Sequence, residues 1–230
     1  MFRKCLIGLA LGAFVYPAGA YYVAWEGDCL PEEAGWTRQW GDEVGQYHGT
    51  GAVRTIQDGV MTMDSLYDMH VCDGSILHRS FNPAPGEMFF LEWRLAVDQV
   101  TGIAGIPTDP GVGFESDDHY GVGFTYGVDF VEGAYDDNLH ISITPGEFHD
   151  YRLTSWDLRT YDFFIDGACV YNGWFLPNTG ASRLAWGDDA QGYASLHRWD
   201  YVRVGTVPEP GTAVLALVFL VFLAHVRQDF

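Results

Sequence analysis

Lysine is almost missing from this 230-residue chain: Lys4 is the only one, and every later basic side chain is an arginine. Lysine and arginine together number 12 against 31 acidic residues, a formal net charge of −19. Such a surface repels nucleic-acid phosphate and anionic polymers, which excludes phosphate-backbone recognition. Divalent cations and neutral sugars remain compatible with it. Cysteine is also scarce, with four residues at 5, 29, 72 and 169 and no C-x-x-C spacing, so no zinc centre is indicated. Neither a glycine-rich phosphate loop nor a Ser/His/Asp order stands out.

What is plentiful is aromatic and glycine. Aromatic residues make up 16% of the chain and glycines number 28, with Asp scattered between them. That mixture suits short strands and tight turns, so the middle of the chain reads as all-β. Disorder does not fit this aromatic content.

The two ends differ from the middle. Arg3 and Lys4 precede an apolar stretch from Leu6 to Val15, followed by Ala18-Gly19-Ala20, the pattern of a signal peptide over residues 1–20. At the other end, Pro208-Glu209-Pro210 leads into an apolar run from Ala213 to Ala224 and then Arg227. That tail resembles the sorting signal of bacterial PEP-CTERM proteins. The resemblance implies an exosortase as processing partner, membrane insertion through the C-terminal helix before cleavage, and release to the cell surface or extracellular matrix. As a helix, residues 211–226 would be about 24 Å long against a hydrocarbon core of about 30 Å, a marginal span.

Between the ends, residues 21–206 are long enough for one domain with a real core. They hold nine basic and 29 acidic residues. An exported domain permits disulfides. Cys29 and Cys72 both lie in Asp/Gly-rich turn sequence and are expected to pair. Cys169 is then left over, partly covered by bulky neighbours.

The strand pattern is clearest from Glu87 to Val100, where Phe89, Leu91, Trp93, Leu95 and Val97 share one face and Glu92, Arg94 and Asp98 the other. The stretch around Trp25, Trp36 and Trp40 reads as an irregular lead-in with one edge strand at most. Asp58-Gly59 and Asp166-Gly167 are two-residue turn signals. The first sets Ile56 opposite Met61. The second sets Ile165 opposite Ala168 and Phe163 opposite Val170. Further strands are expected over 75–81, 112–114, 120–126, 128–131, 140–144, 148–153, 184–189 and 196–204.

Three segments of the second half, Phe148-His149-Asp150-Tyr151, Phe164-Ile165-Asp166-Gly167 and Trp199-Asp200-Tyr201-Val202, resemble the concanavalin A-like (laminin-G-like) sandwich family over residues 148–205. The resemblance implies a two-sheet antiparallel jelly roll. Many short turn-delimited strands point the same way independently.

That family includes glycoside hydrolases, which need a pair of carboxyls about 5 Å apart for the retaining reaction. Sandwich glucanases carry the pair on one strand as E-x-D-x-E, and that motif is absent here. The nearest acid cluster, Glu115-Ser116-Asp117-Asp118, would put Glu115 and Asp117 on one face only if extended. Asp109, Asp117 and Asp118 could instead supply oxygen ligands to calcium, although the EF-hand spacing is missing. Trp174, and Trp186 with Asp188 beside it, are candidate platforms for stacking on a sugar ring. His149 and His197 read as satisfied sheet residues. The leading expectation is an exported, exosortase-processed, non-enzymatic surface or matrix protein that binds extracellular polysaccharide. The alternatives are a carbohydrate-active enzyme on the same fold and a purely structural module.

Overall fold

The computed structural model describes residues 22–40, 52–66, 75–83, 86–102, 110–118, 120–134, 138–177, 182–188 and 193–208. Cys72, Asp109, Glu209, Pro210 and Arg227 lie outside them, as do both terminal segments. Among the described residues sixteen strands are formed. In chain order they are β1 (Tyr22–Trp25), β2 (Thr37–Trp40), β3 (Val53–Gln57), β4 (Val60–Asp64), β5 (Ser75–Arg79), β6 (Glu87–Gly102), β7 (Gly111–Glu115) and β8 (Tyr120–Tyr126). The second half adds β9 (Phe130–Gly133), β10 (His140–Ser142), β11 (His149–Ser155), β12 (Thr160–Ile165), β13 (Ala168–Trp174), β14 (Leu176–Pro177), β15 (Arg183–Asp188) and β16 (Tyr193–Pro208). Among the described residues no helix is long and apolar enough to cross a membrane.

The strands form two antiparallel sheets, a jelly-roll-like sandwich. Sheet one runs β13-β12-β11-β6-β16-β4-β3, with β1 also paired to β16. Sheet two runs β10-β9-β8-β7-β15-β5-β2, with β14 also paired to β8. The lead-in contributes two strands, one to each sheet, rather than a single edge strand. The last strand extends past the expected boundary: Val207 pairs with Met88 and Pro208 with Glu87. Lacking an N–H, Pro208 is suited to the end of a ladder.

Alternation builds the core. Phe89, Leu91, Trp93 and Leu95 on β6 face inward with Tyr151, Leu153, Phe163 and Trp199 of the neighbouring strands, all nearly fully buried. Opposite them, sheet two supplies Val112, Phe114, Phe124, Tyr126, Leu184 and Trp186. Rings meet across the gap: Phe89–Phe114 and Phe124–Phe163 centroids are 4.4 Å apart, and Trp186–Trp199 are 4.9 Å apart. The high aromatic content therefore fills the space between the sheets, where such pairs add to area burial.

The outer face of sheet one takes up much of the arginine. Arg94 bridges to Asp150 and Asp200, Arg152 to Glu92, Arg198 to Asp98 and Arg203 to Glu26. Arg94 and Arg198 both lie over the Phe148 ring. Individually such partly exposed pairs contribute little, but here they tile a whole face.

One hairpin register differs from expectation. Asp166-Gly167 does make the turn, with Ile165 opposite Ala168 and Phe164 opposite Cys169. Beyond that a bulge intervenes, so Phe163 pairs with Tyr171 rather than Val170. A bulge inserts one unpaired residue and bends an edge strand. Val170 is turned to solvent as a result, and Cys169 is exposed rather than partly covered.

Candidate functional site

The middle of sheet two carries a repeated tetrapeptide: Gly111-Val112-Gly113-Phe114 on β7 and Gly121-Val122-Gly123-Phe124 on β8. The valines and phenylalanines are buried in the core, so the glycines fall on the outer face. Register aligns them into rows. One row is Thr125–Gly111–Gly187–Ile76, the next Gly123–Gly113–Ala185–His78, and the third Gly121–Glu115–Arg183. With almost no side chains along two rows, the face sinks into a groove of about 210 Å³. Ile76, Thr125 and Ala134 stand along it and the Glu115–Arg183 pair closes one end.

The sheet does not itself require glycine at β7. A Cβ on Gly111 would meet nothing nearer than the Phe124 carbonyl oxygen at 3.5 Å, and one on Gly113 nothing nearer than the Val122 oxygen at 3.5 Å. Both are ordinary contacts, and neither residue has a positive φ. Glycine inside a strand weakens it and often marks close approach of a ligand. The doubled Gly-Val-Gly-Phe was therefore the sequence signal for this site: large apolar residues alternate with no side chain at all.

Glu115 ends β7 on the groove face. Its Oε2 lies 3.2 Å from Arg183 Nε, and its side chain is only 13% exposed. Glu132 lies on the same face but far away. It pairs with Thr125 on β8 and sits 3.5 Å from His140. Two strand spacings and four residues separate it from Glu115, about 16 Å between Cα atoms. Catalytic carboxylate pairs of hydrolases stand about 5 Å or 6.5–9.5 Å apart. Glu115 is therefore not paired with Glu132.

Other expected site residues disperse. Trp186 is not a platform: it is 1% exposed, packed by Trp25, Trp36 and Trp199. Asp188, two residues on, shares its inward face and is fully buried. Both follow from the parity of β15, whose outward positions are Arg183, Ala185 and Gly187. Trp174 is 67% exposed at the end of β13. Asp117 and Asp118 are exposed in the turn after β7, where Asn82 Nδ2 donates to Asp117 Oδ2 at 2.6 Å. Among the described residues no three His, Cys, Asp or Glu side chains converge as metal ligands would. Asp117 is thus held in a hydrogen-bonded turn, and Asp109, the third residue of the expected calcium set, lies outside the described residues. Cys29 is a free, half-buried thiol, and its expected partner Cys72 is outside the described residues.

Both histidines lie in strands as expected, but only His149 is satisfied at both ring nitrogens; the buried His197 Nε2 has no hydrogen-bond partner among the described residues. His149 Nδ1 donates to Asp166 Oδ2 at 2.7 Å, and its Nε2 accepts the Thr144 N–H at 3.2 Å. Burial works to raise the Asp166 carboxyl, but hydrogen bonds from His149 and the Asp150 N–H outweigh it and hold the carboxyl below its usual range. His197 is fully buried and accepts from Trp199 Nε1 at 2.7 Å. Burial pushes its imidazole down to about 4, against the pull of Asp188, Asp98 and Asp64.

No protein-family model matches the chain, and no curated protein matches it by sequence. Solved structures do share the fold. A carbohydrate esterase from the Shiga toxin-encoding bacteriophage phi24B superposes with a TM-score of 0.56 at 9% identity, over 82% of this chain and all of that one. A glycosyl hydrolase family protein from Mycobacterium fortuitum gives 0.54 at 14% identity, over 80% of this chain and 99% of that one. An endo-1,3-β-glucanase from Streptomyces sioyaensis gives 0.53 at 14% identity, over 75% and 89%. These likenesses agree with the antiparallel jelly-roll-like sandwich. They also overturn the expectation of a non-enzymatic protein, because the fold neighbours are enzymes. The missing E-x-D-x-E is no argument against catalysis: residues meeting at one face can come from different strands, as Glu115 and Arg183 do.

Proposed function

We propose that this protein is a carbohydrate-active enzyme that lays a neutral glycan chain along the groove of sheet two and acts on its glycosidic bonds. The single observation that carries the reading is the Gly-x-Gly-x-Glu strand, which clears the sheet face and ends it in a carboxylate. Glycosidic cleavage needs a proton delivered to the leaving oxygen. In hydrolysis a water adds to the anomeric carbon as its bond to the leaving oxygen breaks; Glu115 stands at the groove to give that oxygen its proton and recover one from the water, and Arg183 fixes its orientation. The acidic excess of the chain disfavours anionic polymers and leaves neutral sugars as substrates. The sugar-directed enzymes among the fold neighbours support a glycan over other groove ligands.

The test is release of reducing ends from β-1,3-glucan, cellulose and agarose, by the wild type and by Glu115→Gln. Turnover that disappears in Glu115→Gln at unchanged melting temperature supports the assignment. No turnover on any polysaccharide, or full activity in Glu115→Gln, rejects it.

The proposal places this activity outside the cell. Support comes from the sequence of the two ends: the signal-peptide pattern of residues 1–20, and Pro208-Glu209-Pro210 with the apolar run and Arg227 as an exosortase-type sorting signal. The expected products are an enzyme cut near Pro210 and delivered to surface polysaccharide.

A further inference from the structure

Seven tryptophan side chains are described, and five of them are at most 3% exposed. The other two, Trp156 at 54% and Trp174 at 67%, are the most exposed large hydrophobic residues of the described chain. They belong to one corner of sheet one. Trp174, the last residue of β13, pairs with Thr160, the first of β12. On the other side of β12, Thr154 of β11 pairs with Asp162. Continuing that register by two residues brings Trp156 beside Thr160. The row then reads Trp156–Thr160–Trp174, with the two tryptophan Cα positions about 10 Å apart across two strand spacings. Their parity is that of Asp162 and Asn172, on the outer face.

We propose that this corner is a second glycan-binding platform, on the sheet opposite the groove. The two indoles would stack on the faces of two sugar rings of one neutral polysaccharide chain. Between and beside them lie short polar groups suited to hydroxyls: Thr160, and Asn172 whose Nδ2 donates to Asp162 Oδ1 at 2.5 Å.

The chemistry of the corner selects its occupant. Residues 168–177 hold no charged side chain, in a chain of net charge −19. A neutral partner meets no unpaired charge there. The flanking charges are Asp157 and Asp162 with one cation, Arg159, whose guanidinium is laid over the Tyr120 ring; the acidic excess disfavours an anionic lipid surface. The platform is joined to the sheet that carries the proposed groove by a short crossing of the chain at one edge. Two residues past Trp174 the chain has crossed to sheet two, where Leu176 pairs with Gly121 in the same row as Glu115. Phe175 between them is buried and its N–H donates to the Arg159 carbonyl, which fixes the crossing. The choice of a glycan rests on the reading of that groove, but the binding itself does not depend on catalysis.

Retention of the full chain on insoluble β-1,3-glucan and on cellulose tests the inference. Three proteins are compared: the wild type, Trp156→Ala/Trp174→Ala, and Ala185→Trp, which fills the groove. Both tryptophans are exposed, so the double variant should melt like the wild type. The expected result is at least a tenfold loss of retention in the double variant, with turnover of soluble oligosaccharide unchanged. Ala185→Trp should lose turnover and keep retention, which separates failure of the groove reading from failure of the platform. The inference is overturned if the wild type is not retained, if the double variant is retained equally, or if Ala185→Trp alone abolishes retention. It is equally overturned if the glycans leave the exposed-tryptophan fluorescence unchanged while phosphatidylcholine vesicles shift it, or if those tryptophans are covered by a second copy, seen as a doubled mass in light scattering that the double variant loses.

Discussion

Gly113→Val should make this protein more stable and less able to hold a glycan. The two effects have separate causes. A Cβ at Gly113 meets the Val122 oxygen at 3.5 Å and the Gly123 Cα at 3.9 Å, so the sheet accepts it without displacement. Its neighbours across the row, Gly123 and Ala185, leave room for two γ-methyls. Replacing glycine by a β-branched residue in a strand interior then gains about 1 kcal/mol, from strand preference and the lower entropy of the unfolded chain. For a domain of this size that is a rise of about 2–4 °C in melting temperature. The same three carbons rise from the floor of a groove of about 210 Å³. A ligand lifted even 0.5–1 Å from that floor forfeits about a quarter to a half of each dispersion contact beneath it. The expected loss is at least tenfold in kcat/KM, about 1.4 kcal/mol of transition-state binding. Calorimetric melting and reducing-end assays on the same preparation measure both. A variant that melts lower yet acts normally would refute the reasoning, because Gly113 would then serve the fold and not the groove.

Other perturbations give equally definite outcomes. His197 is held near 4 when folded, against an ordinary 6.5, so the unfolded chain takes up the proton first as pH falls. Stability should be full above about pH 6.5 and decline towards pH 4 by about 3 kcal/mol. His197→Asn, which keeps an acceptor for Trp199 Nε1, should flatten that limb in urea titrations; an unchanged limb would assign it to other groups. Gly27 has φ +76° and a Cβ there would lie 1.9 Å from the Gly59 oxygen, whereas Gly59 has φ +79° and open space around it. Gly27→Ala should therefore cost about 3 kcal/mol or more and Gly59→Ala about 1, and similar losses in urea unfolding would contradict the clash. For the tail, mass spectrometry of the exported protein should find no residue beyond about Pro210, and Glu209→Ala should leave the uncut form in the membrane. An intact Phe230 counts against processing.

Sequence alone determined the fold class, because strand alternation is a local property. The inward residues of β6, from Phe89 to Val97, and the turns at Asp58-Gly59 and Asp166-Gly167 were legible from two-residue periodicity and backbone preference. The placing of His149 and His197 in strands was legible too, but not that the buried His197 Nε2 would lack a partner among the described residues. Only the tertiary structure decided which side of a strand faced the other sheet. Trp186 and Trp174 look equally available in sequence, each beside Gly and Asp or Asn. Parity on β15 buries the first, and parity on β13 exposes the second. The bulge at Val170 could not be anticipated, because one extra residue resets every pairing beyond it. The groove was likewise hidden: Gly111, Gly113, Gly121, Gly123, Ala185 and Gly187 are separated by up to 76 positions in the chain and become a single floor only through the pairing of β8, β7 and β15. The doubled Gly-Val-Gly-Phe marks two strands that lack outward side chains, but not that they lie side by side. The groove appears only when neighbouring strands lack side chains at the same height.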